Sequence, residues 1–395
     1  MLKLPSAGQS FAQIRRGNFL YVDKTRYLHE MVTDGGCYFL SRPPRFGKTL
    51  LIGALAELMK GNRELFKGLW IDSSNHDFKQ YPVISLTMVG SLEGKNPVEK
   101  IIKSQLFKAA EANSVDPNSL IIMKSPRSSD ILAKLVVTLH KVTGERVTVL
   151  IDEHDAPVRD VLDDITRAKK NLAVLHGFYG SLKTLVDQDL VSTVFVTGVT
   201  KLVLGSGFSG FNGYSDFTFE PEYNAICGFT PDEFLNCFEP YLPDLLDRFK
   251  SGGHMPAEGD RESLIKMIFD CYDGYSWDGE NRVLNPGSII EMLGSKELDT
   301  RGFNSGTPTF LLKVLKHEKN ADDFHETAVV RKNTLNSTDI ENFKLDSVLF
   351  HAGYLTIDKK LNSGEYLLKR PNKEVRRAWD DALLRFFSRI RPKIP

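Results

Sequence analysis

The stretch Cys37-Tyr38-Phe39-Leu40-Ser41-Arg42-Pro43-Pro44-Arg45-Phe46-Gly47-Lys48-Thr49 reads as a short apolar strand running into a tight loop and then a helix. A bound triphosphate needs several backbone N–H groups aimed at one point, a lysine that reaches the outer phosphates and a hydroxyl that holds magnesium. Gly47, Lys48 and Thr49 supply these parts. From Leu50 onward, Leu51, Ala54, Leu55, Leu58 and Met59 recur near helical spacing, so the N-terminus of a helix, with its partial positive charge, points back at the loop. The general pattern G-x-x-x-x-G-K-[ST] has a glycine where this chain has Arg42, and the opening turn is therefore expected from Pro43 and Pro44. Taken alone, Gly-Lys-Thr is equally a solvated basic turn, and a second half of the site is needed.

That half is Val147-Thr148-Val149-Leu150-Ile151-Asp152-Glu153, a continuous apolar run ending in two carboxylates, the pattern of a strand buried on both faces. Such an ending lets Asp152 hold the magnesium while Glu153 polarises an attacking water. The competing reading is an acidic pair that merely caps a strand. A further strand, Val191 to Val196, ends in Thr197-Gly198. In many P-loop ATPases a polar residue at the end of the strand between these two senses the γ-phosphate; Thr197 or Thr200 fits that place, against the plain alternative of a strand-end threonine.

The chain has 395 residues, room for two or three domains with substantial cores, and 51 Lys+Arg balance 51 Asp+Glu. Zero formal charge offers no global argument for nucleic acid or anionic membrane as a partner. No apolar run approaches a membrane span, no signal-peptide core opens the chain, and its four cysteines lack zinc or C-x-x-C spacing, so a cytoplasmic protein with reduced thiols is expected.

In chain order, Phe11, Phe19 and Tyr21 precede the loop and are candidates for the wall of a purine pocket or for covering a sheet edge. Asp23 or Thr25 is expected to cap the helix through Leu28 and Met31. Tyr81 to Met88 reads as a strand, and residues 97–112 and 129–142 as helices. Alternating strands and helices predict an α/β fold with a parallel sheet flanked by helices. A glycine-rich loop over 205–213 suits a mobile segment closing over a ligand, and Ser215 to Phe219 alternates as an exposed closing strand would.

The combination Tyr21-Val22-Asp23-Lys24-Thr25, Arg42-Pro43-Pro44-Arg45-Phe46-Gly47-Lys48-Thr49, Leu150-Ile151-Asp152-Glu153-His154-Asp155, Thr197-Gly198-Val199 and Phe208-Ser209-Gly210-Phe211-Asn212 resembles the AAA-ATPase-like family, in which arginine also replaces the first glycine of the loop. Pro44 stands where that family usually has arginine, and His154 where it usually has tyrosine. The resemblance implies a P-loop NTPase domain over 1–230, a helical lid over 231–325 and a small winged-helix-like unit over 326–395. It implies ATP and Mg²⁺ as ligands, with Arg42 through Thr49 cradling phosphates, Thr49 and Asp152 on the metal, and Lys48, Glu153 and Thr197 catalytic. In longer members a nuclease domain follows; none is expected in this chain, so no nuclease activity is expected of it.

Three functions compete on this evidence. The first is a Mg²⁺-dependent switch ATPase regulating a nucleic-acid-processing or defence activity, with a homo-oligomer, nucleic acid or a nuclease as partner, and with Arg42, Arg45 and Arg159 open between roles in this chain and in a neighbouring copy. The second is a non-hydrolysing interaction module, favoured by Arg42 and Pro44. The third is a DNA-dependent motor, suggested by Asp152-Glu153-His154-Asp155 and opposed by the absence of companion motifs and of a basic stripe.

Overall fold

A computed structural model of the chain describes residues 1–120, 127–203, 214–298, 326–337, 339–341, 344–361 and 364–390. The glycine-rich loop over 205–213, Gly306-Thr307-Pro308 and the Asn362-Ser363 turn lie outside the described residues.

The apolar runs form a five-stranded parallel sheet in the order β2-β3-β4-β1-β5. Its strands are β1 (Gly36–Ser41), β2 (Val83–Thr87), β3 (Val147–Asp152), β4 (Val191–Gly198) and the two-residue β5 (Ser215–Asp216). Every residue of β3 is buried, as expected of a strand covered by helices on both faces. The covering helices are α1 (Phe11–Arg16), α2 (Thr25–Asp34), α3 (Lys48–Met59), α4 (Pro97–Ala112), α5 (Ser128–Thr143), α6 (Ala156–Arg159) and α7 (Ile165–Asp187). Lys24, and neither Asp23 nor Thr25, is the N-cap of α2; Asp23, one residue before it, accepts from the Thr25 amide at 2.8 Å.

Parallel register decides where the chemistry sits. Leu40 lies opposite Thr197, Ile151 opposite Val196 and Thr87 opposite Asp152, so the strands end together and deliver Ser41, Asp152 and Thr197 to one sheet edge. The strand bearing Thr197 lies between β1 and β3, the place expected for it.

Beyond the sheet, α8 (Pro231–Phe238), α9 (Leu242–Ser251), α10 (Arg261–Tyr272) and α11 (Pro286–Ser295) build a second apolar cluster around Phe234, Phe238, Leu245, Ile268 and Met292, joined by Leu20 and Val22 from the N-terminal segment. A three-stranded antiparallel sheet follows, β6 (Thr327–Arg331), β7 (Thr356–Lys360) and β8 (Glu365–Lys369), in the order β6-β8-β7, with helices Leu345–His351 and Lys373–Ile390. Its hairpin pairs Ile357 with Leu368. No helix among the described residues is long and apolar enough to cross a membrane.

One expectation needs correction. Phe217, Thr218 and Phe219 are buried, not the face of an exposed strand. Phe350 of helix Leu345–His351 stacks on Phe219 at 5.8 Å, and Phe217 is stacked on Tyr223 at 3.7 Å. The same helix places His351 under the loop strand, its Nδ1 3.1 Å from Ser41 Oγ and its Nε2 donating to Leu335 O at 2.7 Å. Burial, then the charge of Lys201, pushes the His351 imidazole down from 6.5 to about 4. An unfolded histidine binds its proton near 6.5 and the folded one only near 4, so this contribution is complete above 6.5 and declines as pH falls toward 4. Its full extent is on the order of 3 kcal/mol. His351→Gln should therefore reduce the loss of urea midpoint between pH 7 and pH 4.5 relative to the parent protein.

Candidate nucleotide site

The loop turns at Pro44-Arg45, one residue on from the expected Pro43-Pro44. Arg45 adopts φ 66° and Gly47 φ 92°, so the left-handed positions of the loop are Arg45, just after Pro44, and Gly47. Gly47 is also the N-cap of α3 and brings no side chain to its first-turn amides, which are left for a ligand. A Cβ built on Gly47 would meet nothing within 4 Å, so open space lies in front of the loop.

That space is a cavity of about 870 Å³, within the usual range for small-molecule sites. Arg45, Phe46, Gly47, Lys48 and Thr49 line one wall, Asp152 and Glu153 the floor. The opposite walls come from residues 5–10 with Leu20, Tyr21 and Val22, and from Ile226 to Phe229 with Gly287, Ile290 and Glu291 of α11. Tyr21 thus reaches the cavity, whereas Phe11 is fully buried and packs on Phe66 at 4.9 Å.

The two halves of the motif meet at its floor. Thr49 Oγ1 donates to Asp152 Oδ2 at 2.6 Å, and Thr197 Oγ1 donates to Asp152 Oδ1 at 2.7 Å. Lys48, 4% exposed, donates to the carbonyls of Arg42 at 3.0 Å and Pro43 at 3.1 Å, and its Nζ lies 3.6 Å from Glu153 Oε1. Glu153 sits at φ 49°, a left-handed turn that swings its side chain off the end of β3. Burial alone would raise the Glu153 pKa; Lys48 and then Arg159 overcome it and hold the carboxyl below its usual value.

Not every residue singled out from sequence faces the cavity. Arg42 is fully buried beneath Trp277, its guanidinium 3.9 Å from the ring centroid, and donates to the carbonyls of Ser41, Thr218 and Tyr223 at 2.9, 3.1 and 2.9 Å. Its side chain braces the loop from behind; only its carbonyl serves the site, by holding Lys48. Pro43 and Pro44 are likewise outside the cavity lining, and Pro43 lies against Gly353, where an added Cβ would approach it to 3.0 Å. His154 packs edge-on against Phe39 at 5.2 Å and donates from Nε2 to Thr200 O at 3.0 Å. Asp155 accepts from the amides of Val199 and Thr200 at 3.1 and 2.8 Å. Burial would raise its pKa, but Arg159, His154 and the hydrogen bonds from the Thr200 hydroxyl and amide bring it down to about 2.

Two contacts escaped the sequence reading. Arg45 Nη2 pairs with Glu291 Oε2 at 2.8 Å, tying the loop to α11, and Gly287 N donates to Arg45 O at 3.3 Å. Arg159 Nη1 pairs with Glu153 Oε2 at 3.1 Å. The six-residue step from Glu153 to Arg159, across one turn of helix, was the available signal for the second; nothing local announces the first.

These donors suit a Mg²⁺-chelated triphosphate. A hydroxyl and a carboxylate are hard oxygen ligands, the lysine is a point charge for phosphate, and the uncapped amides suit anionic oxygens.

The model for the AAA-ATPase-like family, described as a predicted AAA-ATPase, matches residues 5–208. An uncharacterized protein in the vnfD 5' region of Azotobacter chroococcum mcd 1 is 32% identical over 388 residues, 97% of this chain and 70% of that protein. Among solved structures, Cdc6p from Pyrobaculum aerophilum aligns at 13% identity over 93% of this chain and 94% of that one, with a TM-score of 0.30. The ORC2 protein of Aeropyrum pernix, in ADPNP and ADP complexes, aligns at 11% identity over 93% of each chain, with a TM-score of 0.37. With the loop and the acidic strand meeting at one cavity and the family match spanning both, the chain belongs to the AAA-ATPase-like family.

Proposed function

We propose that the protein binds ATP with Mg²⁺ in this cavity, hydrolyses it, and uses the cycle as a switch. The observation that carries the reading is the Thr49–Asp152–Thr197 hydrogen-bond chain beside Lys48, which gathers at one floor the hydroxyl, carboxylate and ammonium that phosphoryl transfer uses. Lys48 would exchange the Arg42 and Pro43 carbonyls for β- and γ-phosphate oxygens. Thr49 and Asp152 would hold Mg²⁺, which neutralises phosphate charge when bound. Glu153, relieved of Lys48, would orient the attacking water, and Thr197 would relay the state of the γ-phosphate to β4.

The Arg45–Glu291 pair supplies the output. Phosphate oxygens near Arg45 compete with Glu291, so occupancy of the loop is felt by α11 and the helices packed on it. The regulated activity in this reading is nucleic-acid processing or defence, through a second copy of the chain, a nucleic acid or a nuclease partner.

Phosphate release from ATP by the purified protein, with Mg²⁺ and with EDTA, tests the proposal. Glu153→Gln should lower Mg²⁺-dependent turnover by about 10²–10⁴-fold and leave ATP binding within a few-fold. Tight ATP binding without turnover in the parent protein would favour the non-hydrolysing module instead.

A further inference from the structure

We propose that Arg159 is a positioning residue for Glu153, setting which carboxylate oxygen faces the γ-phosphate; the inference deepens the ATPase reading and rests on it. The two oxygens of Glu153 have different partners. Oε1 lies 3.6 Å from Lys48 Nζ, on the cavity side, and Oε2 accepts from Arg159 Nη1 at 3.1 Å, behind it. When phosphate oxygens draw Lys48 away, Oε1 loses its partner and Oε2 keeps one. The carboxylate is then left with a single free face, pointing to where Lys48 had been and so toward the phosphates.

Arg159 can serve this way because the nitrogen that meets Glu153 is also held by a second carboxylate. Its Nη1 also lies 3.3 Å from Asp155 Oδ1, and Asp155 is fully buried and anchored to the chain leaving β4 by the Val199 and Thr200 amides and the Thr200 hydroxyl, the last at 2.7 Å. Asp160 Oδ1 accepts from Arg159 Nε at 3.0 Å. Burial would lower the Arg159 pKa, but Asp155 and Glu153 outweigh it and keep the guanidinium charged. One guanidinium nitrogen held by a buried carboxylate thus orients the next carboxylate, with Nε on Asp160 fixing the plane of the group, and Lys could not reproduce both nitrogens. The same anchoring leaves the Arg159 side chain 12% exposed and committed within its own chain, which removes it from the arginines that could reach a neighbouring copy's nucleotide. Arg42, buried under Trp277, is removed for the same reason.

The test compares Arg159→Met, Arg159→Lys and Glu153→Gln by steady-state ATP turnover and by ATP affinity on the same preparations. The expected result for Arg159→Met is a loss of about 10–100-fold in kcat with affinity changed less than about threefold, as for a group that acts through another. Arg159→Lys, retaining the charge but not the fork, should recover part of that loss. Unchanged kcat in Arg159→Met, while Glu153→Gln abolishes turnover, overturns this inference and leaves the ATPase reading standing. A parallel fall in kcat and affinity that Arg159→Lys does not relieve assigns Arg159 to holding the fold and also overturns it. Full turnover in Glu153→Gln overturns the underlying reading and the inference with it.

Discussion

Lys48→Ala is expected to weaken ATP binding by about 10²–10³-fold, the loss that follows when one partner of a desolvated charge pair is truncated. Lys48 is nearly sheltered from water and already aimed by two loop carbonyls, so its ammonium needs little reorganisation to meet phosphate oxygens. In the empty protein Glu153 keeps Arg159 as its partner when Lys48 is removed. Titration of a fluorescent ATP analogue into both proteins reads the difference directly. Unaltered affinity in Lys48→Ala would mean that nucleotide, if it binds, does so elsewhere.

Arg42→Gly restores the general motif, yet it should destabilise the protein by about 3–5 kcal/mol, because several charge-assisted hydrogen bonds and a large buried volume are lost together. The substitution strips donors from the Ser41, Thr218 and Tyr223 carbonyls and leaves a void under Trp277. A urea midpoint that falls sharply at constant m is the expected signature. A midpoint within experimental error of the parent would show that the guanidinium contributes nothing net. The family's habit of placing arginine here has a structural reading on these contacts: the residue clamps the loop strand to the segment after β5, and the left-handed positions of the loop are taken by Arg45 and Gly47.

Much of this site could be read from the chain because its parts are local. Strand β1 and helix α3 flank a loop whose residues announce phosphate chemistry, and β3 is an unbroken apolar run that ends at its acids. Thr197 could be proposed because strand ends of a parallel sheet share one edge, and the register indeed brings it to Asp152. What could not be read depends on contacts between distant segments. The role of Arg42 is set by Thr218, Tyr223 and Trp277, well over a hundred residues away. The burial of Phe219 under Phe350 and of Phe217 against Tyr38 and Tyr223 comes from other segments, so alternation alone misjudged their exposure. The pairing of Arg45 with Glu291 joins residues 246 apart in sequence, which no spacing rule reaches.

The central claim is that loop and acidic strand share one Mg²⁺-chelated nucleotide, and calorimetric titration of ATP with and without Mg²⁺, into the parent protein and Asp152→Asn, tests it most directly. The account predicts that Mg²⁺ strengthens ATP binding in the parent by at least about tenfold and that Asp152→Asn loses most of this gain while still binding metal-free ATP. An identical Mg²⁺ dependence in the two proteins would contradict it.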